Sequence, residues 1–458
     1  MLSSEENELL CRVGPGTPMG DLMRQYWIPA LPSSEFPASD GAPKRMRLLG
    51  ENLVMFRDSM GRVGAMREAC PHRGASLYFG RNEQCGIRCA YHGWKFDIHG
   101  ACVDLPTEPD PQRAEAFRAK IRARAYPCRD VNHMVWIYLG PRAEPPPLPR
   151  FEINTLAPEY VNRPSIMMEE ANWLQNLEGD LDSAHLDWVH SRLAADSKPP
   201  PIGWRGFWSP DRHAPRLEVV PTAYGAFYTA VRTLAGDEWH RINQFIFPFH
   251  SMITTGNPHE VSLRSFVPID DHYAMLISHH GRIDRPIPVR PRIVRAVGRM
   301  LGVRSNAFDD VGGYLERTSD PRSYFMTRAN RRNDYLRNRE VEKESMFNGI
   351  PFVLNLQDRA MTELMTNDAG EPICDRTREH LGSSDAMVIA VRRQLLDAVT
   401  RMREQHQVPA NVENVALDRV RPASMRLAVG ADWKSLSAAA RDADSGEPPA
   451  ADLPLIEK

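Results

Sequence analysis

Two short runs constrain this chain more than anything else in it. Cys70-Pro-His72 is followed, after sixteen residues, by Cys89-Ala-Tyr-His92. Each run places one thiol and one imidazole on a tight loop. Two such loops facing each other offer two thiolates and two imidazoles, which fits an iron–sulfur centre with thiolates on one iron and imidazoles on the other. A tetrahedral zinc site is the alternative that spacing alone leaves open. Seven cysteines in 458 residues are odd in number and too few for a disulfide scaffold. Cys85 breaks the ligand spacing, and Cys11, Cys102, Cys128 and Cys374 have no Cys or His at ligand distance along the chain; all five read as structural thiols.

The rest of the composition excludes several classes. Lys+Arg number 57 against 59 Asp+Glu, a net charge of −2, so nothing global favours nucleic acid or an anionic membrane. No apolar run approaches the roughly 18 residues of a membrane span. The start, Met-Leu-Ser-Ser-Glu-Glu-Asn-Glu, lacks the basic and apolar regions of a signal peptide. The expectation is a soluble, cytoplasmic, multi-domain protein.

Along the chain, the proline-rich run Glu144 to Pro149 reads as a linker, since it can continue neither a helix nor a central strand. Before it, Val54–Arg57, Cys89–Asp97, Lys120–Tyr126 and Met134–Leu139 read as short strands of a small all-β unit. After it, residues 169–190, 342–365 and 384–403 read as helices, the last capped by Ser384 or Asp385. Residues 227–233, 242–247 and 261–267 read as strands. Residues 283–340 are Arg-rich and irregular. The organisation expected is an N-terminal segment over 1–25, a β domain over 26–143, a linker over 144–150, a larger α+β domain over 151–436 and a flexible tail over 437–458.

A second constellation lies just after the linker. His185 and His190 are five apart, and Asp182 stands three before His185, one helical turn away on the same face. Two imidazoles and one carboxylate from elsewhere would form the facial triad of non-haem Fe(II) sites, which leaves open positions for O₂ and substrate.

The flanks carry a resemblance. Cys-Pro-His-Arg-Gly-Ala from Cys70 and Cys-Ala-Tyr-His-Gly-Trp-Lys-Phe-Asp from Cys89 resemble the cluster loops of Rieske domains, over roughly residues 26 to 140. The Asp-x-x-His-x-x-x-x-His pattern from Asp182, the run Asn172–Ser183, the run Arg12–Gly20 and the run Asp375–Asp385 are similar to Rieske non-haem iron aromatic ring-hydroxylating oxygenases, alpha subunit, of the phthalate dioxygenase-like branch. The resemblance implies an all-β Rieske [2Fe–2S] domain joined to an α+β helix-grip catalytic domain. It implies Cys70 and Cys89 on one iron of the cluster and His72 and His92 on the other. Gly74 and Gly93 would let backbone N–H groups approach the cluster sulfurs.

It further implies a mononuclear Fe(II) held by His185, His190 and a distant acid, Asp358, with Asp368 and Asp375 as the other candidates. Asp182 would bridge His185 to His92 of a neighbouring copy, which requires a ring oligomer, a trimer or a hexamer of stacked trimers. Glu178 and Asp180 are candidates for supporting or proton-delivery groups. O₂ is the co-substrate. Electrons would come from NAD(P)H through a separate flavin/ferredoxin-type reductase, since no Gly-x-Gly-x-x-Gly fingerprint follows a strand here. Three arginines on the pocket strands, Arg232, Arg241 and Arg264, are candidates for reading a substrate carboxylate. The functions expected are hydroxylation of an aromatic, carboxylated substrate, or oxidative O-demethylation of a methoxylated aromatic acid, or electron transfer by a Rieske protein without a mononuclear iron.

Overall fold

The structure is a computed structural model that describes residues 1–193, 214–288 and 313–445, apart from 235, 256, 258, 414 and 415. The N-terminal half is built from three small antiparallel sheets. Strands β1 (Trp27–Pro32), β10 (Cys128–Val131) and β11 (Met134–Tyr138) form one, in the order β1-β11-β10. Strands β2 (Lys44–Leu48), β3 (Glu51–Arg57), β4 (Val63–Arg67) and β9 (Ala125–Tyr126) form the second. Strands β5 (Arg81–Glu83), β6 (Gly86–Arg88), β7 (Lys95–Asp97) and β8 (Cys102–Asp104) form the third, which carries the Cys-His loops. The expected strands Cys89–Asp97 and Lys120–Tyr126 survive only at their C-terminal ends, because Cys89 to Gly93 is needed as a loop.

The C-terminal half is one large antiparallel sheet. Its strands are β12 (Ser165–Glu169), β13 (Arg216–Thr222), β14 (Gly225–Leu234), β15 (Asp237–Ile246), β16 (His250–Met252), β17 (Glu260–Pro268), β18 (Ala274–Arg282) and β19 (Ala423–Ala428). The order is β12-β18-β17-β16-β15-β14-β13, with β19 pairing the outer part of β15. Register pairs Tyr228 with Asn243 and Ala230 with Arg241 across β14 and β15, and Ser251 with Arg264 across β16 and β17. The pleat puts these residues on one face. That face covers the helix Trp173–Leu181: Tyr228 donates to Leu181 O at 2.6 Å, and Arg264 meets Asp180 at 2.9 Å. The opposite face packs Phe227 and Ile242 on Met425 and Trp433.

The helix Trp173–Leu181 is buried on nearly every side and starts at Asn172, whose side chain accepts the Leu174 N–H. The N-terminal helix Ser4–Cys11 docks on it: Asn172 donates to Cys11 O and Trp173 to Leu10 O. The two halves share one apolar core, in which Trp27, Ile28 and Trp136 meet Phe151, Phe249 and Leu263. Trp27 also donates to Pro146 O in the proline-rich run. Among the described residues, no helix is long and apolar enough to cross a membrane.

Several expectations are corrected. The helix expected over 169–190 is three pieces: the end of β12, the helix Trp173–Leu181 and a short turn Leu186–Val189. Asp182 ends the middle piece in an extended conformation, and its carboxylate takes the Ala184 N–H in competition with the helical ladder. The helix expected over 342–365 splits into Arg339–Glu344 and Leu354–Thr362, interrupted at Gly349, whose φ is +70°, and at Pro351. The long helix is Ala386–Gln405, and its apolar face, Met387, Val391, Leu395 and Val399, is buried. Asp385 stands at its N-cap position as expected, but its side chain makes no cap hydrogen bond and accepts from the Gly382 N–H instead. Residues 437–445, expected as flexible tail, fold back: Ser437 and Ala440 are buried, and Arg421 N–H donates to Arg441 O. Residues 446–458, and 289–312 of the Arg-rich stretch, lie outside the described residues.

Candidate metal centres

The two Cys-His loops are built alike. In the first, Cys70 N–H donates to Ala75 O and Gly74 N–H to Cys70 O, both at 2.8 Å. In the second, Cys89 N–H donates to Trp94 O at 2.8 Å and Gly93 N–H to Cys89 O at 3.0 Å. Gly74 and Gly93 close the turns at φ +77° and +74°. At Gly74 the left-handed backbone itself favours glycine. At Gly93 a Cβ would also strike Pro106 at 2.7 Å.

The loops bring all four donor residues to one tip. Cys70 and Cys89 are buried, and all seven cysteines are free thiols. The His72 and His92 rings lie 4.5 Å apart, and Trp94 stacks on His72 at 4.2 Å. Burial pushes the Cys70 thiol up to about 11, while the His72 backbone N–H donates to its sulfur. Such N–H donation serves a sulfur that carries negative charge, as it does when iron replaces the proton. His72 Nδ1 is buried with no hydrogen-bond partner among the described residues, and so is available to a metal. Two thiols, two imidazoles and an orphaned ring nitrogen fit a Rieske cluster.

The second centre comes together from two distant segments. His185 and His190 sit on the broken end beyond Leu181, and Asp358 on the helix Leu354–Thr362. Asp358 Oδ1 lies 3.0 Å from His190 Nε2 and 3.5 Å from His185 Nε2. One ligand atom from each of the three residues lies within 4.8 Å of the others. Burial works against the charged imidazole of His185, yet Asp182 and Asp358 raise its pKa to about 10. The same imidazoles hold the Asp358 carboxyl below its ordinary value against the opposing effect of burial. Two imidazoles and a carboxylate converging in this way form a donor set that suits Fe(II) with open positions. Asp368 and Asp375 stand elsewhere: Asp368 pairs with Arg378, and Asp375 accepts from Thr377.

The supporting contacts set the tautomers. Gln357 gives its amide N–H groups to Ile350 O at 3.1 Å and Asn348 Oδ1 at 3.4 Å, so its oxygen faces His190 Nδ1 at 2.8 Å. The proton therefore sits on Nδ1, and Nε2 offers its lone pair to the centre. Asp182 Oδ2 lies 3.4 Å from His185 Nδ1 and does the same for that ring. Gln357 stood in the run Asn355–Asp358 beside the metal candidate, but its role depends on Asn348 and Ile350, which no local pattern connects to it.

The other candidates separate. Arg232 is committed to Asp187 at 3.0 Å and Ser183 O at 2.7 Å, and clamps the loop that carries His185 to β14. Arg264 binds Asp180 and Asn355. Arg241 lies on the same inward face; burial lowers its guanidinium pKa to about 10, with Tyr228 and Asp180 opposing and Arg232 and Arg264 adding to the effect. Glu178 is not at the centre's disposal. Burial would raise its carboxyl, but Arg376 and Arg392 bring it below the ordinary value and tie the helix Trp173–Leu181 to the C-terminal helix. Asp180 faces Arg264 and Ser251, and burial raises its carboxyl.

With this geometry in hand, the comparisons with known proteins are decisive. Residues 26–124 match the Rieske [2Fe-2S] domain, and residues 137–280 and 313–452 match the LigXa C-terminal domain like family. The chain is 36% identical over 451 residues to the phthalate 4,5-dioxygenase oxygenase subunit of Pseudomonas putida, covering 96% of this chain and 95% of that one. The chain belongs to the Rieske oxygenase family, in its phthalate dioxygenase-like branch.

The 3-chlorobenzoate-3,4-dioxygenase oxygenase subunit of Comamonas testosteroni is 37% identical over 426 residues, 90% of this chain and 92% of that one. The 5,5'-dehydrodivanillate O-demethylase oxygenase subunit of Sphingobium sp. (strain NBRC 103272 / SYK-6) is 35% identical over 280 residues, 60% of this chain and 62% of that one. Among solved structures, dicamba monooxygenase bound to dicamba has a TM-score of 0.51 at 17% identity, covering 84% of this chain and 99% of that one. A carbazole-bound oxygenase and ferredoxin complex of carbazole 1,9a-dioxygenase has a TM-score of 0.53 at 18% identity, covering 91% and 99%. These two share the fold. As a Rieske oxygenase component, the protein uses a [2Fe–2S] cluster, a mononuclear iron, O₂ and electrons from a separate protein.

Proposed function

We propose that this Rieske oxygenase component hydroxylates an aromatic carboxylate, with Cys70, Cys89, His72 and His92 holding the cluster and His185, His190 and Asp358 holding the iron. The observation that carries the reading is the convergence of those three side chains on one point. Bound there, iron would supply O₂ activation, and the cluster would supply an electron. The chain's own residues do the rest. Gln357 and Asp182 hold protons on the outer ring nitrogens of His190 and His185, and the Arg232–Asp187 pair keeps His185 in place.

The carboxylate specificity rests on Arg241. It lies on the inward face of the sheet, where β15 pairs with β14, and a guanidinium there favours a bidentate carboxylate. Relatives named for phthalate and 3-chlorobenzoate act on aromatic carboxylates, which supports the same class here. O-demethylation of a methoxylated aromatic acid is the second reading, supported by the O-demethylase relative. Asp182 has a half-buried carboxylate beside His185, which supports its linking that ring to His92 of a neighbouring copy in a trimer or hexamer.

Oxygen uptake with a panel of benzoates and methoxybenzoates, in the presence of a flavin/ferredoxin-type reductase and NAD(P)H, tests the reading. A carboxylated aromatic should stimulate uptake and yield a diol or phenol, whereas formaldehyde would mark O-demethylation. Arg241→Ala should raise KM for that substrate about tenfold or more, the loss of one charge-assisted contact. An unchanged KM removes the carboxylate assignment.

A further inference from the structure

A water-sized cleft lies beside Asp358, between the helices Trp173–Leu181 and Leu354–Thr362 and the inward face of the sheet. Glu169, Asn176, Asp180, Arg264, Asp358 and Arg359 line it. Its polar atoms are unusually needy. Glu169 Oε2, both amide atoms of Asn176, Arg264 Nε and Arg359 Nη2 are all buried without a hydrogen-bond partner among the described residues. Buried polar atoms are nearly always paired, and orphans gathered in one polar cleft are the setting in which ordered water is found. Donors and acceptors are mixed around this cleft, so waters in it can both give and take hydrogen bonds from Glu169 to Asp358.

Glu169 ends β12 and is buried. Burial raises its carboxyl to about 8, with Arg359 and Arg264 pulling it down and Glu363 and Asp180 pushing it up. The neighbours are otherwise engaged. Glu363 accepts from Arg359, from Tyr335 and from the Glu170 N–H, and Asp180 accepts from Ser251 and pairs with Arg264. No hydrogen bond or ion pair joins Glu169 to Asp358 among the described residues, so any traffic between them runs through the cleft.

Oxygenation takes up one proton for every electron supplied, and the cleft beside Asp358 is lined by buried polar groups that can relay one. We propose that Glu169 is the proton donor for oxygen reduction at this centre, acting through water held in the cleft. The Glu169 O–H bond breaks, each water in the line gains one O–H bond as it loses another, and the last O–H bond forms on the oxygen reduced by the externally supplied electrons. The Glu169 carboxylate recovers its proton from solvent. The inference rests on the assignment of His185, His190 and Asp358 as iron ligands.

Infrared difference spectroscopy of the iron-loaded protein, wild type against Glu169→Gln, is the first arm of the test. A protonated-carboxyl C=O band missing from the variant should vanish as pH rises through about 8. Absence of that band overturns the proposal. If the variant does not fold, Glu169→Asp decides the same point through the shift of the band away from its wild-type position. In the second arm, Glu169→Gln with wild-type iron content and Rieske spectrum should turn over about tenfold or more slowly and lose the pH limb near 8. Glu169→Asp should restore part of both. Wild-type turnover and pH profile in Glu169→Gln overturn the proposal. Failure of the wild-type protein to hold a mononuclear iron would instead overturn the ligand assignment on which it rests.

Discussion

At the scale of the residue, the centre depends on where protons sit on two imidazoles. His190 is fixed by Gln357, and Gln357 by Ile350 and Asn348, so a side chain that touches no metal decides which nitrogen of His190 can. Gln357→Leu keeps the volume and removes the acceptor. It should lower iron affinity about 10–100-fold and leave the Rieske spectrum unchanged, measured by competition with a chelator. Iron retention equal to wild type would show that Gln357 does not set the tautomer. The residues that gather at the two candidate centres were legible, because Cys-x-His, Cys-x-x-His and the spaced His pair are short-range patterns. The three arginines were not separable by the same means. Arg232 and Arg241 share a face of one hairpin, and only the loop carrying Asp187, brought back from elsewhere in the chain, shows that Arg232 is already spent.

At the scale of the element, the informative failure is the helix that is not continuous. Apolar periodicity runs through residues 169–190, yet the chain leaves the helix at Asp182, and this break turns His185 and His190 toward Asp358. A periodic pattern reports burial, and Ser183, Leu186, Asp187 and His190 beyond the break are buried like the helix, so the pattern could not mark the break. β14 holds the loop down at Leu181, Ser183 and Asp187. Arg232→Met should therefore cost about 3–5 kcal/mol of stability, read from denaturant unfolding, because it strips a buried carboxylate of its guanidinium. A change within about 0.5 kcal/mol, the range of an ordinary surface substitution, would mean that the clamp is not structural. The helix Leu354–Thr362 was legible in type and not in extent, since Gly349 and Pro351 interrupt what reads as one segment.

At the scale of the molecule, the division into a small β unit and a larger sheet wrapped on helices was legible from strand spacing, the proline run and the resemblance of the loops. The way the halves join was not. Trp27 and Trp136 extend the core of the first half into that of the second, and Leu49 and Gly50 donate to Pro268 O and Ile269 O across the junction. These contacts link residues more than a hundred positions apart. The central claim is that one chain holds two different iron centres in two separate sets of side chains. Iron and acid-labile sulfide counted per chain, in wild type and in His190→Ala, test it most directly. The expected result is three irons and two sulfides in wild type, and two irons and two sulfides in His190→Ala with the Rieske visible spectrum intact. Two irons in wild type, or a third iron that stays in His190→Ala, would contradict it.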